Sequence, residues 1–255
     1  MAEGFLGIPG VSEIIFAGFV LASAVTAWIG VVTGAAGGLI LLGLLSLVFP
    51  PAILIPVHTL VQLGSGGSRV VLMWAYVLRG TLLPFTLGAI AGAVLGAQIF
   101  VSLPTAVLQL ILALFMLIVT WMPHIGRTGG EGKRFAILGF AATFIGIFVS
   151  ATGNLIAPFI AAASPDRRNH PATLAALMSI AHICKMAAFG FIGIAVGAYL
   201  PLVAAMIVSA FFGNWVGRAT LDRMRERDFR LIFRIVMTLL ALRLLWMAAG
   251  GLGWV

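Results

Sequence analysis

Apolar stretches of helical length fill almost the whole chain. They fall near residues 13–49, 56–78, 81–102, 105–121, 135–163, 171–196, 199–217 and 231–250. The chain is 62% apolar and 9% charged, where a soluble domain is nearer half apolar and a quarter charged. Such stretches read as membrane helices, whose backbone groups bond to one another because lipid offers no partner. An outer-membrane barrel would show alternating segments of about ten residues instead. The fold class is therefore an all-α polytopic membrane protein, and the lipid bilayer is its first partner. The net charge of +8 lies mainly in short loops. There it follows membrane orientation and gives no reason to expect nucleic acid. A single cysteine, Cys184, excludes an internal disulfide and a thiolate metal site, and no metal or cofactor is expected.

Two of the eight stretches are interrupted. The first, 13–49, is too long for one crossing and contains Gly34, Gly37 and Gly38. The other, 135–163, contains Ser150, Thr152, Gly153 and Asn154 at the matching place. At an offset of 116 residues, positions 30–40 fall on 146–156 and Arg69 falls on Lys185. Glycine is a poor helix former. Small polar residues at membrane depth are tolerated where backbone is buried in protein or lines a cavity. Each interrupted stretch is thus expected to be a broken or re-entrant hairpin, with half-depth return and two full crossings both open.

Loop charge gives the sidedness. If both broken stretches return to the side they came from, eleven loop cations share one face: Arg79, Arg127, Lys133, Arg134, Arg167, Arg168, Arg218, Arg223, Arg225, Arg227 and Arg230. If all eight stretches simply cross, the same residues divide four to seven. Cytoplasmic loops are the positive ones. The hairpin reading therefore puts both termini outside a bacterial-type inner membrane. Each half then holds one hairpin and three spanning helices, an odd number, so the halves are inverted repeats. The expected organisation is a first repeat over 1–122, a cytoplasmic linker over 123–134 and a second repeat over 135–255. Inverted repeats with broken helices meeting near the midplane are a recurring transporter plan.

With Gly34-Ala35-Ala36-Gly37-Gly38, its copy Ser150-Ala151-Thr152-Gly153-Asn154, the small-residue run Gly88, Gly92, Gly96 and its counterpart Ser209, Gly213, the chain resembles the sulfite exporter TauE/SafE family. The resemblance covers nearly the whole chain. It implies export of a small sulfur-containing anion of the sulfite or organosulfonate class.

Two cations carry the chemical reading. Arg69 and Lys185 sit near the middle of apolar stretches, one per repeat, and no acidic residue lies centrally in any stretch. A charge held in lipid marks a functional site by default, and paired cations suit an anion. Arginine offers a planar fork for oxyanions, lysine a point charge. The structural alternative for either is snorkelling to an interface or a bond to a helix C-terminus. At the breaks, Gly37, Gly38, Gly153 and Asn154 stand where a second half-helix would expose N–H donors to an anion, with hydroxyls from Thr33, Ser150 and Thr152 beside them. The alternative there is close helix packing through small residues. His182 lies one turn before Lys185, and His58 and Gln62 lie one turn apart before Arg69. Each histidine is as readily a packing residue as a ligand. Arg243 has no counterpart in the first half, and the sequence leaves its role open.

The expected function is a transporter exporting a small anion, with Arg69, Lys185, Gly37, Gly38, Gly153, Asn154, Thr152, His182 and Gln62 as binding residues. An anion channel would use the same cations, and sequence does not separate the two. An intramembrane hydrolase is the weaker alternative. Gly64-Ser65-Gly66-Gly67 with His182 imitates a serine–histidine pair, but no oxyanion hole accompanies it, and an enzyme is not expected.

Overall fold

The computed structural model describes residues 4–33, 36–100, 102–121, 131–164, 166, 169–194, 196–220 and 226–254, with most of their side chains. Among them the regular structure is helical throughout. The helices are α1 Glu13–Thr33, α2 Ala36–Leu45, α3 Pro51–Met73, α4 Leu82–Phe100, α5 Thr105–Trp121, α6 Glu131–Val149, α7 Gly153–Ala163, α8 Asn169–Phe191, α9 Leu200–Thr220 and α10 Glu226–Gly251. Among the described residues, four stretches are long and apolar enough to cross a membrane: Glu13–Val31, Arg79–Phe100, Asn169–Phe191 and Gly197–Gly217. Their outward faces keep large apolar side chains exposed, with Ile14 at 84% and Phe191 at 92%. Water would oppose that much exposed apolar surface; hydrocarbon does not.

Helix limits follow from local chemistry. Pro51 opens α3 and Pro104 immediately precedes α5, positions where proline's missing N–H costs nothing. Both interrupted stretches resolve into a long helix followed by a short one. Helix α1 has 21 residues and α2 has 10, or about 31 Å and 15 Å at 1.5 Å per residue. Helices α6 and α7 have 19 and 11 residues. In both pairs the first limb matches a hydrocarbon core of about 30 Å and the second is half that. The first break falls at Gly34 and Ala35, outside the described residues; the other, at residues 150–152, is described in full.

The chain forms two compact units. One holds residues 1–61, 104–121 and 195–255; the other holds 62–103 and 122–194. Each unit takes helices from both halves of the sequence. In the first, α1 packs along α9 and α2, and α10 packs along α5 and α2. In the second, α4 packs along α6 and α8, and α7 lies on α8.

Small residues make both of the long pairings possible. A Cβ at Gly88 or Gly92 would land on the carbonyls of Ala136 and Phe140 in α6, and one at Gly139 would land on that of Phe85 in α4. The α4 and α6 backbones are therefore in direct contact, as small-residue helix pairs in membranes are. Helix α9 meets α1 in the same way. Gly213 lies against the Ala24 carbonyl. Ser209 donates to Val20 O at 2.6 Å, and Ser23 donates back to Met206 O at 2.8 Å. Around the α4–α6 contact, Phe85, Phe135, Leu138, Ile156, Ile160, Leu174 and Leu177 form the buried core of the second unit.

Candidate functional site

The second break is a built polar site. Helix α6 ends at Val149, and Ser150 turns the chain with φ at 59°, a left-handed conformation uncommon for a residue with a side chain. Thr152 then caps α7 by position, yet its hydroxyl makes no capping hydrogen bond. The first-turn N–H groups at Gly153 and Asn154 therefore lack a side-chain acceptor from the cap residue, and they lie at the positive end of the α7 dipole. Ser150 and Thr152 are completely buried.

Lys185 reaches this turn from α8. It is 0% exposed, and its Nζ donates to Ser150 O at 3.1 Å and to Gly146 O at 3.4 Å. Those carbonyls belong to the last turn of α6 and the turn residue, where the dipole is negative; Gly146 O also accepts from Ser150 N at 2.9 Å, so Lys185 is its second donor. The ammonium is thus held at a helix C-terminus, one of the arrangements expected for it from sequence. Two of its three N–H donors are accounted for by these carbonyls. A Cβ on Gly146 would lie 3.4 Å from both Lys185 Nζ and Thr152 Oγ1. The bare glycine backbone keeps ammonium and hydroxyl open on that side. Thr152 Oγ1 is otherwise 4.0 Å from Met178 Sδ. His182 is buried one turn earlier on α8. Asn154 is the second residue of α7, and its side chain lies outside the described residues.

Arg69 stands on the second half of α3, beside α8. A Cβ on Gly66 would lie 3.4 Å from Ser179 Oγ, and Leu78 N donates to Thr173 Oγ1 at 3.0 Å. Leu78 stands five residues past the end of α3, so α3 and the turn that follows it run antiparallel to α8. Arg69 lies about 4.5 Å along α3 from the Gly66–Ser179 contact, and Lys185 about 9 Å along α8 in the opposite direction. Their backbones are therefore separated by about 13 Å along the pair. A helical side chain covers the turn N-terminal to its own Cα, so on antiparallel helices the two cations lean towards the same level. The Nε of Arg69 is enclosed and has no hydrogen-bond partner. Gln62, Gly66 and Arg69 share one face of α3 by their spacing of four and three, and Gln62 is half-buried.

Two helical hydroxyls of this unit behave differently from most of the others. Thr86 returns its hydroxyl to the carbonyl four residues earlier, as do Thr26, Thr59 and Thr120 elsewhere in the chain. Thr143 Oγ1 and Ser179 Oγ are buried and make no such bond. Sequence reasoning passed over both, together with Gly146. A lone serine or threonine in an apolar helix carries no signal of which way its hydroxyl turns.

The first unit treats its break in another way. A Cβ at Gly37 would land on the Thr26 carbonyl and lie 2.7 Å from Gly30 N. Gly37 therefore serves the packing of α2 on α1. His58 is buried on α3, and its Nε2 lies 2.8 Å from Gly38 O. Since a carbonyl only accepts, that nitrogen carries the proton. The side chain of Thr33 lies outside the described residues. Arg243, whose role the sequence left open, donates from both terminal nitrogens to Ser46 O at 2.9 Å and Leu47 O at 3.1 Å. It closes the carbonyl end of α2.

Residues 19–244 match the model of the family described as Sulfite exporter TauE/SafE. No curated protein and no solved structure matches the chain.

Proposed function

The chain belongs to the sulfite exporter TauE/SafE family of membrane transporters, not enzymes, and from that premise we propose that it exports a sulfite- or organosulfonate-class anion past the second break. The observation that carries this reading is the ammonium of Lys185, fully buried with carbonyls as its partners and beside the uncapped N-terminus of α7. Among the described residues, the acidic ones stand outside the helices, as Asp166 does, or in the first turn of a helix, as Glu13, Glu131, Glu226 and Asp228 do. No carboxylate in the apolar stretches competes with an anion for that charge. A passing oxyanion would take the third donor of Lys185, the Thr152 hydroxyl and the N–H groups of Gly153 and Asn154. His182 and Gln62 flank it on α8 and α3, and Arg69 supplies the second cation. In this reading Gly37 acts by seating α2 on α1, and Gly38 by giving its carbonyl to His58.

The same reading takes the two halves, 1–122 and 135–255 about the linker 123–134, as inverted repeats. Its support is that each half's first helix pairs with the small-residue helix of the other: α1 with α9, and α6 with α4. Under the 116-residue offset those two pairings are equivalent. Both termini then lie outside the inner membrane. Export needs no coupled ion, because an inside-negative potential drives an anion outward with about 2.3 kcal/mol per charge per 100 mV.

The test is electrogenic flux in proteoliposomes, with sulfite, sulfoacetate, thiosulfate, sulfate and chloride offered in turn. Current with a sulfur oxyanion that disappears in the Arg69→Gln/Lys185→Gln double variant supports the reading. A folded protein that passes none of these anions would overturn it. For sidedness, single cysteines placed at either terminus of a Cys184→Ala background should react with an impermeant maleimide on intact cells. Labelling confined to broken cells would reverse the topology.

A further inference from the structure

Between the Arg69 turn and the Lys185 turn, the α3–α8 seam holds two buried polar atoms with no partner, one on each helix. These are Arg69 Nε and Ser179 Oγ. Both are donors, and both have an unused alternative. An arginine at this depth could have been placed to snorkel its whole head outward. A helical serine could return its hydroxyl to its own preceding turn, as Ser68 does to Ser65 O at 2.8 Å. Leaving a buried donor unmade costs more than a made hydrogen bond gains. Two such donors, one on each helix with Gly66 one turn before Arg69 facing Ser179 Oγ, therefore point to a ligand that accepts from both.

The seam is also kept open where that ligand would lie. Gly66 faces Ser179 Oγ with no side chain of its own, and a Cβ there would meet nothing but that oxygen, at 3.4 Å. Arg69 stands one turn further along the same face of α3 and covers the Gly66 turn by helix geometry.

We propose that Arg69 and Ser179 form an oxyanion station on the α3–α8 seam, the Nε–H of one and the hydroxyl of the other donating to two oxygens of the same sulfite or sulfonate group. The station rests on the anion-export reading above and deepens it. It makes Ser179 a ligand, and it makes Gly66 the residue that leaves the ligand room. It also separates the pathway into two levels, a guanidinium–hydroxyl level and the ammonium level at the second break. The chemistry favours a multi-oxygen anion, whose separated oxygens can each meet one donor, where a halide offers a single centre to both.

The experiment is the concentration dependence of sulfite-driven current in proteoliposomes for the wild type, Ser179→Ala and Gly66→Ala, with thermal melting in detergent alongside. Ser179→Ala is expected to raise the half-saturating sulfite concentration about tenfold, the scale of one hydrogen bond to a charged group. Maximal current and melting temperature should stay near wild type. Gly66→Ala should move the half-saturating concentration in the same direction by filling the space. A merely structural serine would change the melting temperature or the amount of folded protein instead. Wild-type current with unchanged half-saturation in both variants would overturn the station alone. Absence of sulfite current in the folded wild type would overturn the export reading and the station with it.

Discussion

The two helix breaks stand at equivalent places under the 116-residue offset and are held in different ways. At the first, Gly37 lies so close to α1 that a methyl group would strike the Thr26 carbonyl, and the polar partner is the His58 imidazole on Gly38 O. At the second, Gly153 has only Met178 Sδ at 3.9 Å and Leu174 at 4.0 Å beyond its missing Cβ, and the polar partner is a buried ammonium. Gly30 and its counterpart Gly146 differ in the same sense. A Cβ on Gly30 would meet backbone atoms of Gly37, at 3.7 Å and beyond, whereas one on Gly146 would meet Lys185 Nζ and Thr152 Oγ1. One break is closed by backbone on backbone. The other is held apart around a charge. Glycines at positions equivalent under the offset thus pack on backbone at the first break and border side chains at the second, and only the surroundings distinguish them.

Substitutions at matched positions separate the two breaks. The largest effect is expected from Lys185→Gln, which removes the charge from the second break and weakens the hydrogen bonding of the Gly146 carbonyl in α6 and the Ser150 carbonyl in the turn. Flux should fall by about a hundredfold, since one charged interaction lost at the transport site is of that order. Stability should fall by about 1–3 kcal/mol, read by thermal melting. Next comes the pair Gly37→Ala and Gly153→Ala. The first is expected to cost about 1–3 kcal/mol through overpacking against α1, and the second much less. Equal melting temperatures would erase the distinction drawn between the breaks. Smaller again is the pair Gly146→Ala and Gly30→Ala. The methyl on Gly146 should reduce flux about tenfold by crowding the donors at the charge, while Gly30→Ala retains wild-type flux. The smallest effect belongs to Arg243→Gln. Loss of a cation at the carbonyl end of α2 should lower stability by about 0.3–1 kcal/mol without altering flux.

Much of this architecture is legible in the sequence, and the reasons it is legible are physical. Membrane helices announce themselves because lipid demands long apolar runs, and the breaks announce themselves because Gly34, Gly37, Gly38 and the Ser150–Asn154 run violate that demand. Arg69 and Lys185 stand out because a cation in such a run is costly. What stays hidden is whatever the backbone supplies. Nothing in the letters at Gly146 and Ser150 announces that their carbonyls hold Lys185, or that Ser150 turns left-handed without being glycine. The pairings of α1 with α9 and of α4 with α6 join residues about 190 and 50 positions apart. They rest on small residues whose partners cannot be read from spacing alone. Arg243 could be read as a third cation for the site or as a snorkelling side chain until the end of α2 was found within its reach.

In the proposed export pathway, the charge an exported anion meets is the buried ammonium at the second break. Its most direct test is the initial rate of sulfite-driven current under a fixed imposed potential, with Lys185→Gln measured beside the wild type and Gly30→Ala as the first-break control. The expected result is current in the wild type and in Gly30→Ala, with loss in Lys185→Gln protein that is still folded. Wild-type current in folded Lys185→Gln would contradict the account and leave Lys185 as no more than the cation that closes helix α6.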